Sequence, residues 1–194
     1  MGVVLKNPDW IEEFVASYER SFDRLVDRMK FAIDLSEKNV MLGTGGPFGA
    51  AIFEKESGKL IACGVNQVVE LNKSIAHAEI MAILHAQEKL KTYDLGNPEL
   101  PDLQLVTSSQ MCVMCFGAVL WSGVKSVVIG ARGIDVESSC GFDEGPLHPN
   151  WVEELEKRGI EVIQDVLRPD AIAVLKMYKR LNAVVYNASR GTKC

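Results

Sequence analysis

Two short stretches, HAE at residues 77–79 and CVMC at residues 112–115, decide how this sequence is interpreted. Each stretch follows a loop-like segment and opens a segment whose apolar residues recur at helical spacing. Cysteines three positions apart on a helix share a face, so both sulfur atoms can point at one ion. One imidazole and two thiolates suit Zn²⁺, and three protein ligands leave a fourth coordination position for water. The pattern predicts an open zinc site with the ligands His77, Cys112 and Cys115.

Glu79 lies two residues after His77 on the same opening turn, so it need not be a metal ligand itself. Bound zinc lowers the pKa of a water ligand toward about 7. A carboxylate beside that water can take its proton and deliver it to a bound substrate. Helix N-termini also stabilise thiolates through their amide dipoles. We therefore expect Glu79 to be the residue that moves protons.

A Cys-x-x-Cys pair alone does not establish catalysis, because it also occurs in redox pairs and in closed structural zinc sites. A closed site needs a fourth ligand, for which Cys63, Cys140 and His148 are candidates. His85 lies eight residues after His77, which places it on a different part of the helix surface. The rival hypothesis is a non-catalytic domain, stabilised by zinc or redox-active, that serves in binding.

The rest of the chain is typical of one α/β domain over residues 1–194. A helical extension is expected at about 9–39 with Asp9 as N-cap, and a tail at about 182–194. Strand–helix–strand order implies a right-handed parallel crossover. Together these elements predict a three-layer α/β/α sandwich with a mixed central sheet of about five strands. Strands are expected at 48–53, 60–69, 103–107, 126–131 and 161–166, helices at 77–90, 112–121, 150–158 and 169–181, and a loop at 134–149.

Composition limits the classes of partner. Of 194 residues, 47% are apolar and 24% charged, which is typical of soluble globular proteins, and no apolar run is long enough to span a bilayer. The five cysteines are an odd number with one close pair, which suits a reducing compartment, so we expect a cytoplasmic protein. With a net charge of −5 the chain gains nothing from attraction to phosphates, and we expect no nucleic-acid partner.

By its His-x-Glu and Cys-x-x-Cys segments the chain resembles the cytidine deaminase superfamily, whose zinc enzymes deaminate nucleobases. The resemblance implies a cytidine deaminase-like fold, one zinc ion per chain and a homodimer. The sequence departs from the family pattern before Cys112, where Gln110-Met111 replaces the usual Glu-Pro. Neither of those family residues is a zinc ligand, so the departure concerns the shape of the loop and the rim of the pocket.

Within the superfamily the chain is most similar to the bacterial guanine deaminase branch. The matching segments are residues 45–50, Asn66, 112–118, 141–146 and the pair Tyr186-Asn187. This resemblance implies hydrolysis of guanine to xanthine and ammonia, with water adding to C2. It also implies that Glu144 anchors the base and assists proton transfer. A tRNA adenosine deaminase and a cytosine deaminase remain alternatives, and ammeline shares guanine's amino–carbonyl edge.

Guanine presents two hydrogen-bond donors, its N1–H and its exocyclic amine, so a selective pocket needs acceptors. Carboxylates accept without donating, and Asp143 and Glu144 in a flexible loop suit that task. A solvated turn is the alternative for this loop. Asn66 can hold a purine edge, while Phe48 and Trp121 can stack on a ring or belong to the core. Together with Ala78 beside the metal ligand and Tyr186 as a lid, the candidate substrate-binding residues are Asn66, Phe48, Ala78, Asp143 and Tyr186.

Overall fold

The central element is a five-stranded mixed sheet with the strand order β2-β1-β3-β4-β5. The structure is a computed structural model that describes residues 4–18 and 22–187. Strand β1 pairs antiparallel with β2 and β3, whereas β4 pairs parallel with β3 and β5. This topology confirms the predicted parallel crossover between β3 and β4. The strands are β1 Gly49–Glu54, β2 Leu60–Val65, β3 Leu103–Ser109, β4 Ser126–Ala131 and β5 Glu161–Ile163.

Helices cover both faces of the sheet, as the three-layer prediction requires. Successive strand residues point to opposite faces, so Ala51 and Phe53 belong to one core and Ala50 and Ile52 to the other. The first core packs against α2 and α8, and the second against α4 and α5. The described helices are α1 Trp10–Ala16, α2 Leu25–Met41, α3 Val68–Leu71, α4 Ala78–Leu90, α5 Val113–Ser122, α6 Gly133–Cys140, α7 Trp151–Glu156 and α8 Arg168–Arg180.

The N-terminal extension differs from the single helix that its periodicity predicts. The structure has two helices, α1 and α2, and α1 lies back against α2. The ring of Phe14 stacks on that of Phe31 at 5.8 Å, and Tyr18 meets the same ring edge-on at 4.8 Å. The aromatic side chains of α1, which recur at helical spacing, are therefore partly covered by α2. Asp9 does occupy the N-cap position of α1, but its side chain bonds Lys6 and makes no cap hydrogen bond.

Three other boundaries differ from the sequence predictions by more than two residues. The strand expected at 60–69 ends at Val65, and Val68–Leu71 forms the short helix α3. Helix α6 occupies the first half of the loop predicted at 134–149, because its Asp135 accepts from the Arg132 N–H at 2.8 Å and pairs with the Arg168 guanidinium. Strand β5 ends at Ile163, three residues early. The last part of the predicted tail, residues 188–194, lies outside the described residues.

Close packing of β2 on α4 holds the helix that begins beside the metal site. A Cβ atom added at Gly64 would lie 2.5 Å from the Ala82 nitrogen and 2.7 Å from the Ala78 carbonyl oxygen. Only glycine allows this approach.

Across the two described segments, no helix combines the length and the apolar character needed to cross a membrane.

We expect Gly64→Ala to lower the free energy of unfolding by about 1–3 kcal/mol, because the added methyl group overpacks the contact between β2 and α4. Chemical denaturation measures the change. Gly133→Ala is the control, since its new methyl group meets only the side chain of Gln110 at 3.1 Å. A Gly64→Ala protein as stable as the unmodified one would show that α4 does not depend on this approach.

Candidate metal centre and pocket

Three potential metal ligands converge where α4 and α5 begin. His77 is the N-cap residue of α4, Cys112 is the N-cap residue of α5, and Cys115 lies in the first turn of α5. Their ligand atoms all lie within 4.8 Å of one another, and Cys112 Sγ is 3.5 Å from His77 Nδ1. The structure therefore brings together the three residues that the sequence pattern selects.

The donor set fits zinc. One imidazole nitrogen and two sulfur atoms are ligands that Zn²⁺ prefers, and the two cysteines are buried. In the part of the chain that the structure describes, no fourth histidine, cysteine or carboxylate joins this cluster. Cys63 packs in the core on the α2 side of the sheet, as does Cys140, and His148 accepts a hydrogen bond from the Asn150 N–H. Three protein ligands are typical of a catalytic zinc site, which keeps a position for water.

The electrostatics of the cysteine pair favour the binding of a cation. The hydrogen bond with Cys115 is the main cause that lowers the pKa of Cys112 to about 4; burial opposes this shift and His77 supports it. The pKa of Cys115 moves in the opposite direction, well above its usual range, because of its interaction with Cys112, its burial and the nearby charge of Glu79. Cys112 thus loses its proton more readily than Cys115 does. A bound cation would favour loss of the second proton.

Glu79 lies against the ligand cluster and is only 6% exposed. Burial, with a contribution from the negative charge of Cys112, raises the pKa of its carboxyl group to about 7. Its Oε2 atom accepts from Cys115 Sγ at 3.4 Å. A carboxyl group that titrates near neutral pH can both accept and release a proton under physiological conditions.

A cavity of about 370 Å³, including its open mouth, lies directly over the ligands. Five of the residues predicted from the sequence to contact substrate or move protons line it beside Glu79: Phe48, Asn66, Asp143, Glu144 and Tyr186. Gln110 and Phe142 also line the cavity, although neither was predicted from the sequence to contact the substrate. Gln110 lies two residues before Cys112, and Phe142 lies immediately before Asp143, so their positions in the sequence could have indicated a place at the cavity.

The C-terminal tail of the same chain closes one side of this cavity. Tyr186 is hydrogen-bonded through its hydroxyl group to the Asn66 amide. The Tyr186 ring lies 5.0 Å from the Phe142 ring and 5.9 Å from the His77 ring. Burial and the nearby charges of Cys112 and Glu79 raise the pKa of Glu144 to about 9. The tail and the loop around Glu144 thus shield the metal centre from solvent.

Two candidate residues lie away from the cavity. Ala78 is completely buried where α4 packs on β2, and it is not among the residues that line the cavity. Trp121 lies in the last turn of α5 with 87% of its surface exposed, so it belongs neither to the core nor to the cavity. Each residue lies on a helix that begins at a metal ligand, but its side chain does not line the cavity.

Comparison with known proteins identifies the family. Residues 24–131 match the model of the cytidine and deoxycytidylate deaminase zinc-binding region. The guanine deaminase of Bacillus subtilis is 37% identical over 139 residues, which cover 72% of this chain and 84% of that protein. A tRNA-specific adenosine deaminase of Buchnera aphidicola (subspecies Schizaphis graminum) is 31% identical, covering 68% of this chain and 79% of that protein.

The solved structure of a guanine deaminase from Nitrosomonas europaea is similar over nearly the whole chain. It is 46% identical, has a TM-score of 0.86, and the match covers 92% of this chain and 97% of that one. The ligand cluster, the fold and these similarities agree. The chain belongs to the cytidine and deoxycytidylate deaminase zinc-binding family, in the branch that contains the guanine deaminases.

Proposed function

We propose that this protein is a zinc-dependent guanine deaminase, a hydrolase that converts guanine and water into xanthine and ammonia. The observation that carries the proposal is the open cluster of His77, Cys112 and Cys115 beneath a small cavity with Glu79 beside it. Guanine deaminases among the relatives support the choice of base.

The metal supplies one part of the chemistry and the side chains supply the rest. When bound by His77, Cys112 and Cys115, zinc provides the Lewis acidity that makes a water molecule acidic enough to react at neutral pH. Glu79 accepts a proton from that water and delivers it to the ring nitrogen next to C2. The same carboxyl group then carries the second proton to the amine as the C2–N bond breaks. Guanine gains one oxygen atom at C2 and loses ammonia, so the reaction balances.

Recognition of the base depends on groups at the cavity wall. The Asn66 carboxamide offers a donor and an acceptor, and its backbone is fixed because Asn39 Nδ2 donates to the Asn66 carbonyl at 2.9 Å. The Val113 N–H donates to the Glu144 carbonyl at 3.0 Å, which ties the loop to the start of α5. The carboxyl group of Glu144 is suited to guanine's N1–H and amine. Phe48 and Tyr186 enclose the ring, and Asp143 shapes the loop through its bond from the Gly145 N–H.

We expect Glu144→Gln to lower kcat/KM for guanine by about 10²-fold or more, because the amide cannot ionise to present the two acceptor oxygens that guanine's N1–H and amine require. Steady-state ammonia release measures the effect. Glu156→Gln, at an exposed position of α7, is the matched control and should behave like the unmodified enzyme. Equal kinetics for Glu144→Gln and the control would remove this loop from base recognition.

The main alternative is deamination of adenosine in tRNA, the activity named for one relative. The small size of the cavity and the net charge of −5 favour a free base over a polyanion. Ammonia release from guanine, guanosine, cytosine, adenine, ammeline and tRNA, assayed side by side, tests the proposal. The highest kcat/KM with guanine would support it, and the highest value with tRNA or cytosine would contradict it.

We further infer a cytoplasmic homodimer that acts on a free purine base without a nucleic-acid partner. The dimer is supported by helix α5, whose sequence contains no charged residue. This helix leaves 39% of Val113 and 87% of Trp121 exposed. Such an exposed apolar face is typical of a surface that another subunit covers. Support for the compartment is that the four described cysteines are free thiols.

A further inference from the structure

The Asn187 side chain joins the tail to the loop that carries Glu144. Its Nδ2 atom donates to the Gly141 carbonyl oxygen at 3.0 Å, and its Oδ1 atom accepts from the Asp143 N–H at 3.0 Å. Both partners are backbone groups of the segment 141–145, which we name the base loop. One carboxamide thus holds a donor and an acceptor of the loop at the same time.

The base loop has a backbone anchor near each of its ends. At its start the Gly141 N–H bonds carbonyl groups of α6, and further along the Glu144 carbonyl accepts from the Val113 N–H. Asp143 lies between these anchors, and its own side chain accepts from the Gly145 N–H. The amide of Asn187 therefore fixes the backbone one residue before Glu144.

The neighbouring residue links the same tail segment to the cavity. Tyr186 bonds Asn66 through its hydroxyl group and packs against Phe142. Release of Asn187 from the loop would therefore also loosen the Tyr186 side chain over the base. A carboxamide is required, because aspartate has no N–H for the Gly141 carbonyl and would place a carboxylate oxygen against it.

We propose that Asn187 is a positioning residue that sets the base loop, and with it Glu144, for guanine binding. The inference rests on the proposed function. Asn187 contacts no reacting atom in this account, and it acts through the backbone of Gly141 and Asp143. Its effect should therefore appear in KM for guanine, while zinc content and thermal stability stay unchanged.

The test compares Asn187→Ala and Asn187→Asp with the control Val184→Ala, which alters an exposed tail side chain but keeps the carbonyl that accepts from Tyr178. Both Asn187 variants should raise KM for guanine about tenfold or more: alanine loses both hydrogen bonds, whereas aspartate loses the bond to Gly141 and places a carboxylate oxygen against that carbonyl. Hydrogen exchange of the base-loop amides should become faster in both variants and remain unchanged in the control. Tm and zinc per chain should match those of the unmodified protein.

A double-mutant cycle identifies the route of the effect. In a Glu144→Gln background, Asn187→Ala should raise KM by less than it does alone, because both changes remove the same contact with the base. Unchanged KM in an enzyme that turns over guanine, or effects that multiply independently, would overturn the inference. If the unmodified protein releases no ammonia from guanine, the proposed function fails instead, and the exchange data alone then report whether Asn187 holds the loop.

Discussion

Replacement of Glu79 by glutamine is expected to lower kcat for guanine deamination by about 10³-fold, while zinc content stays near one ion per chain. Glutamine has nearly the same size but cannot accept and return a proton. The carboxyl group of Glu79 is buried beside Cys115 and has a pKa of about 7, which suits repeated proton transfer near neutral pH. Elemental analysis and ammonia release, measured on one preparation, give both quantities.

Glu88→Gln is the matched control for this variant, because Glu88 lies on the same helix with its side chain 83% exposed. Its activity and zinc content should equal those of the unmodified enzyme. Loss of zinc from Glu79→Gln would mean that Glu79 is a ligand and that the assignment is wrong. Retention of full activity would remove Glu79 from proton transfer.

Replacement of Cys112 or Cys115 by alanine is expected to weaken zinc binding by more than about 10²-fold and to abolish ammonia release. Loss of even an indirect partner of a metal ligand typically weakens binding 10- to 100-fold, and a direct ligand contributes more. Removing either sulfur leaves only two protein ligands, and in the described chain no other cysteine or histidine can take its place in the cluster. Competition with a chromogenic zinc chelator measures the affinity.

Cys63→Ala is the control for these cysteine variants. Burial raises the pKa of Cys63 to about 12, so its thiol stays protonated in the core on the far side of the sheet. This variant should retain zinc and activity and lose about 1 kcal/mol of stability. Full zinc occupancy in Cys112→Ala would disprove the ligand assignment.

The metal cluster was predictable because the signals that define it are local. Imidazole and thiolate ligands each lie at a helix start, and apolar periodicity locates those starts without knowledge of the tertiary structure. The strands were likewise predictable, because short apolar runs between loop-like segments, such as β3 and β4, are typical of strands buried on both faces of a sheet.

The unpredicted features depend on contacts between distant parts of the chain. Periodicity around Phe14 and Phe31 fits one long helix as well as two that fold together, and only their stacking distinguishes the two arrangements. Helix α6 is stabilised by the pairing of Asp135 with Arg168, 33 residues away. The hydrogen bond from the Asp143 N–H to the Asn187 side chain spans 44 residues, so no local pattern reveals it.

Zinc titration of the metal-free protein, followed by the formation of xanthine from guanine, tests the central claim most directly. We expect no turnover without metal, and a linear rise in rate that ends at about one zinc ion per chain, as a single three-ligand site requires. Full turnover by the metal-free protein, or none at full zinc occupancy, would contradict the account.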